Sequence, residues 1–141
     1  MSSSLPAGPV LTRPLAAKLS LAAGSFLART LLTPVSWTER WRYDQYDIVT
    51  GIYVVTDIEN KVRWLGQASR KDDLPARLDS HHCQPERRAA FHHVRVVQLD
   101  DHTPVAALNA IEGWCADQLN LRHTMKPRRW PSSDNWAALV A

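Results

Sequence analysis

Glu112 stands where a helix should present an apolar side chain. From about Pro104 to Asn120 the residues Val105, Leu108, Ile111, Cys115 and Leu119 recur at helical spacing. At about 100° per residue, Glu112 falls inside their arc while Trp114 projects nearly opposite. A carboxylate buried without a partner is forced to protonate or needs a cation, a buried arginine or a metal ion. A helix face that ends at solvent there would remove the need. The second candidate is Arg77 with His81, spaced i and i+4 on one helical face beside Leu74 and Leu78. A guanidinium fork matches a phosphate, and an imidazole takes or gives a proton near neutral pH. On a solvated face the same pair would do neither.

Basic side chains surround these candidates in sequence. Arg70 and Lys71, Arg87 and Arg88, and Lys126, Arg128 and Arg129 beside Trp130 offer contacts for a phosphate backbone and a stacked base, or a merely solvated face. The net charge of +3 and pI near 9.1 permit a polyanionic partner without the long basic runs of a nucleic-acid-binding tail. Cys83 and Cys115 form no CxxC, so neither a disulfide framework nor a zinc finger is read from them, and a reducing cytoplasm is expected. The histidines His81, His82, His92, His93 and His102 fit no common zinc spacing.

The elements that must position these groups follow from local pattern. Ile48–Asp57 and Lys61–Ala68 are β-branched and aromatic, with Glu59-Asn60 turn-like between them, and predict a hairpin. Asp72 or Asp73 caps a helix with an early Pro75, and that helix carries Arg77 and His81. Val94–Leu99 predicts a third strand, followed by the helix of Glu112. Toward the N-terminus, Leu15, Leu19, Ala22, Ala23 and Phe26 predict an amphipathic helix from Arg13 to Leu32 with Pro14 in its first turn. Its apolar face would pack on the domain, on a second copy or on a protein partner. The charges of Lys18 and Arg29 argue against a membrane span. One core is expected in 141 residues. The organisation read from composition is a flexible end over 1–12, a helical extension and aromatic connector over 13–47, the domain over 48–126, and a tail over 127–141 that wraps it as a loop.

The order of these features resembles the GIY-YIG nucleases. Gly51-Ile52-Tyr53 matches the first motif, and Trp64-Leu65-Gly66, eleven residues beyond Tyr53, is similar to the second. An Arg and a His four residues later on the following helix correspond to Arg77 and His81, and a Glu on the helix after the third strand corresponds to Glu112. The resemblance spans half to two-thirds of the chain. It implies a small α/β domain, a three-stranded sheet flanked by helices, that cleaves phosphodiester bonds in DNA with a single Mg²⁺ or Mn²⁺ on Glu112. It further implies that Arg77 offsets transition-state charge, that Tyr53 activates or positions water through a depressed phenol pKa, and that His81 tunes Tyr53. Trp64 replaces the second-motif Tyr and brings an N–H donor without an ionisable hydroxyl. A phrase ending like KPRYN follows the Glu in many members; here Trp130 takes the place of its Asn, with Asn120 and Asn135 as possible substitutes. The competing expectation is a module that keeps this fold and basic surface to bind nucleic acid or dock an assembly, with cleavage weakened.

Overall fold

β1 (Leu27–Ser36), β2 (Gly51–Thr56), β3 (Val62–Ala68) and β4 (His93–Leu99) form one antiparallel sheet in the order β1-β4-β2-β3. The computed structural model describes residues 5–141. Four strands, not the expected three, build the sheet, because the predicted helix over residues 13–32 stops early. α1 covers Arg13–Leu21, capped by the Thr12 side chain, and the residues after it turn into β1. Gly24 causes the change: its φ of 52° reverses the chain where any Cβ would strike Val140. Beyond it, Thr30, Thr33, Pro34 and Val35 favour an extended chain. Pro34 falls in the register irregularity between Leu31 and Val35, where an edge strand can spare an N–H.

The hairpin of β2 and β3 forms as the alternation predicts, and the Asp57 side chain accepts from the amides of Glu59 and Lys61 to hold its turn. Every residue of β2 is buried, since it lies between β3 and β4 with both faces covered. Ile52 and Val54 point to one layer, built from α1 and α4 (Val105–Gln118). Tyr53 and Val55 point to the other, where Trp37, Tyr43 and Phe91 meet Leu74 and Leu78 of α2 (Leu74–His82). A 3₁₀ segment, Trp37–Tyr46, and α3 (Pro85–Ala90) complete that layer. Asp73 caps α2 by accepting from the Ala76 amide.

Both ends of the chain differ from expectation. Residues 1–4 of the expected flexible end lie outside the described residues, but residues 5–12 are not loose. Gly8 and Leu11 donate to the carbonyls of Val62 and Asn60, and Leu11 is in the core. With Pro6 and Pro9 the segment is already extended, and the neighbouring strand satisfies its amides. α5 (Leu121–Thr124) closes the expected domain after α4, and in the tail α6 (Trp136–Val140) replaces part of the expected loop. Trp136 stacks on Trp114 and donates to the Ala22 carbonyl, tying α6 to α1 and α4. α1 turns Ala16 and Leu19 into the core, so of the three expected coverings of its apolar face the structure shows packing on the domain. Among the described residues no helix is long and apolar enough to cross a membrane.

Candidate active site

Tyr53 sits at the centre of β2, fully buried, and its hydroxyl lies 2.6 Å from Nε2 of His81. α2 presents that imidazole one turn after Arg77, and His81 is only 2 % exposed. Gly66 is paired with Tyr53 across the hairpin. A Cβ at Gly66 would stand 2.6 Å from the phenol oxygen and 3.2 Å from Nε1 of Trp64. The absent side chain is therefore what lets hydroxyl and indole face one space. Gly66→Ala should push the phenol off His81, lowering any turnover about a hundredfold while destabilising the fold by about 1–3 kcal/mol. Thermal unfolding measured beside an activity assay separates the two effects.

The hydrogen bonds of His81 determine its tautomer. Nη1 of Arg87 lies 3.0 Å from Nδ1. Guanidinium nitrogens only donate, so Nδ1 accepts. Burial first, then the charges of Arg87 and Arg77, push the imidazole down to about 3, leaving it neutral near pH 7. Its single proton is on Nε2, donated to the Tyr53 oxygen. The phenolic proton is then directed away from His81. The phenol itself is not depressed as expected: burial raises its pKa, opposed by Arg77 and more weakly by Arg128. Desolvation of the anion outweighs the arginine charges in the free protein.

This imidazole has a stability signature. The unfolded chain binds its proton near 6.5 and the folded chain only near 3, so its contribution is complete above 6.5 and is lost as pH falls toward 3. Denaturant unfolding should lose about 2 kcal/mol from this group between pH 6.5 and 5. Glu112, whose carboxyl is raised, works in the opposite direction at acid pH. A His81→Gln variant isolates the term, and an unchanged pH slope in that variant would count against it.

Trp64 and three arginines pack against this pair. Arg128 lies over the Trp64 ring at 3.4 Å and Arg87 at 4.1 Å, while His81 meets it edge-on at 4.6 Å. Nη2 of Arg128 and Nε1 of Trp130 both donate to the Leu65 carbonyl on the unpaired side of β3. Trp130 is thus a buried anchor, not the exposed base-stacking platform its basic neighbours suggested. Buried side-chain nitrogens without a partner include Trp64 Nε1, Arg77 Nε and Arg128 Nη1.

Glu112 approaches from the other layer. It is 6 % exposed on the buried face of α4, as the pattern predicts, and accepts from Nε2 of Gln67 at 3.1 Å. Gln67 also reaches Oδ1 of Asn109, one turn before Glu112. Burial raises the carboxyl, with Gln67, Arg128 and Arg77 pulling it down. Tyr53 and Glu112 therefore come from opposite faces of the sheet and meet around the β3 edge, where Arg77 and Arg128 act electrostatically on both. The donor set fits a hard divalent ion at one point only. Glu112 forms no salt bridge among the described residues, and one amide leaves acceptor capacity on its oxygens. No group of three or more His, Cys, Asp and Glu gathers among the described residues, so water and substrate would complete such a shell.

The predicted basic contacts divide in two. Arg87 and Arg128 belong to the site itself, whereas Arg70, Lys71, Arg88, Lys126 and Arg129 are exposed. Lys126, Arg128 and Arg129 line one open hollow with Trp130. Sequence reading missed Gln67 and Asn109. Gln67 carried a legible signal, a polar residue at the inward phase of a strand. Asn109, not Asn120 or Asn135, is the amide linked to Glu112 through Gln67. Comparison with family models, curated proteins and solved structures found no match to this chain.

Proposed function

We propose that this chain is a divalent-metal-dependent endonuclease of GIY-YIG type that hydrolyses phosphodiester bonds in DNA. One observation carries the reading: a phenol, a buried carboxylate and cationic guanidiniums gather at one sheet edge, with an imidazole locked as a neutral donor to the phenol. Arg77 and Arg128 favour an anion there, and they offset charge that develops on the phosphoryl oxygens. His81 donates through Nε2 to the Tyr53 oxygen, which fixes the phenol and favours its anionic form. As that anion, Tyr53 takes the proton of the attacking water. Glu112 would hold Mg²⁺ or Mn²⁺, which when bound supplies Lewis-acid polarisation of the phosphate and neutralises the leaving oxygen. Gln67 keeps the carboxylate turned to the edge, and Asn109 keeps Gln67 in place.

Incubating single-stranded DNA, duplex DNA and RNA with the protein and Mg²⁺ or Mn²⁺ tests the class. Metal-dependent cutting of DNA that Glu112→Ala and Arg77→Ala each reduce at least about a hundredfold is the expected result. Equal DNA binding by all three proteins with no cutting would favour a binding module instead.

A further inference from the structure

The described chemistry gives no task to Trp64, yet the fold invests in placing it. Its indole is covered by two guanidiniums and edged by His81 and Phe91, so it has little freedom to rotate. Its Nε1 is nevertheless sealed from solvent without an acceptor. Arg128 repeats the pattern. Nη2 is spent on the Leu65 carbonyl, the plane rests on Trp64, and Nη1 is buried without a partner.

These orphans share a sign. Trp64 Nε1, Arg77 Nε and Arg128 Nη1 are all donors, and burial without an acceptor is costly for each. Among the described residues neither Arg77 nor Arg128 forms a salt bridge. Burial brings Arg128 only down to about 10, so it is a cation at neutral pH. A cluster of cationic and neutral donors selects an oxyanion with several acceptor oxygens. A Cβ at Gly66 would strike the Tyr53 oxygen and crowd the indole Nε1, so the glycine lets both groups meet at one point of β3, and an anion held by the indole N–H stands beside the phenol.

We propose that Trp64 and Arg128 form one phosphate clamp, with the indole N–H and the free guanidinium N–H held in a single stack to bind non-bridging oxygens of the phosphodiester. This rests on the nuclease reading for its substrate, and it makes Trp64 a binding residue in its own right. Trp64→Tyr should then fail to improve the enzyme, because a phenol is shorter than the indole and gives up part of the surface on which Arg128 lies.

The test needs no turnover. The metal-free full chain is titrated with inorganic phosphate while its six indole N–H signals are followed by ¹H–¹⁵N NMR. The signal that disappears in Trp64→Phe should move downfield and saturate. Trp64→Phe and Arg128→Gln should each weaken phosphate binding about tenfold. A Trp64 signal that stays fixed throughout the titration overturns the clamp, as does unaltered affinity in both variants. Should Trp64→Phe lose its dispersed spectrum, Arg128→Gln with the intact Trp64 signal decides the matter. A clamp that binds phosphate in a chain cutting no nucleic acid would sink the nuclease reading alone. Cutting with an unmoved Trp64 signal would sink the clamp alone.

Discussion

Glu112→Gln should cut metal-dependent DNA cleavage by about a thousandfold or more, the effect of losing about 4 kcal/mol of electrostatic stabilisation, while making the protein harder to unfold. The two effects have one origin. Glu112 is 6 % exposed and its charge meets a single side-chain hydrogen bond, from Gln67. The folded state therefore disfavours the carboxylate, and burial raises its pKa. A glutamine can still accept from Gln67 without carrying charge. Because the folded pKa is raised, the wild-type carboxyl contributes stability at low pH that is lost as pH rises through it. The gain in the variant should thus be present at pH 8, about 1 kcal/mol, and vanish near pH 4. Thermal unfolding in a chelator at both pH values, beside cleavage with Mg²⁺ and Mn²⁺, reads both effects. Undiminished cleavage would remove Glu112 from the chemistry.

Tyr53→Phe is the second large effect. Phenylalanine keeps the ring packed in the layer with Leu74 and Leu78 and deletes only the oxygen. Loss of a general base of this kind lowers the rate about 10²–10⁴-fold. The pH profile is the more specific readout. With its phenol raised above the ordinary 10, Tyr53 is neutral in nearly every molecule at pH 7. Wild-type turnover should climb about tenfold per pH unit from 7 to 9 as the anion becomes populated, and the residual turnover of the variant should not. A profile already flat in the wild type would mean that the step is not limited by this proton.

The parts of the site that were legible in sequence are those set by local period. Glu112 was visible because Leu108, Cys115 and Leu119 stand four, three and seven residues away, and a helix of that pattern has one interior. Arg77 and His81 were visible because Asp73 and Pro75 announce where α2 begins. What escaped was long-range. Nothing near Arg128 in sequence says that its guanidinium will lie on Trp64, a residue far earlier in the chain. Nothing near Arg87 says that its donor will decide the tautomer of an imidazole six residues earlier. β1 was hidden differently, since its leucines continued the spacing of α1 and Gly24 alone marked the break. The pairing of Tyr53 with Gly66 was implicit in the hairpin, but that the glycine is there to make room was not.

The Leu65 carbonyl receives Arg128 and Trp130 from the last part of the chain, while Tyr53, Arg77, His81 and Glu112 all precede them. During synthesis, then, a growing polypeptide can already contain the phenol, the imidazole and the carboxylate and still lack the lid of its own β3 edge. On the nuclease reading, action on a charged polymer would wait for residues 126–130 to emerge and dock. The β3 edge is thus closed only by residues that follow every other member of the site in sequence.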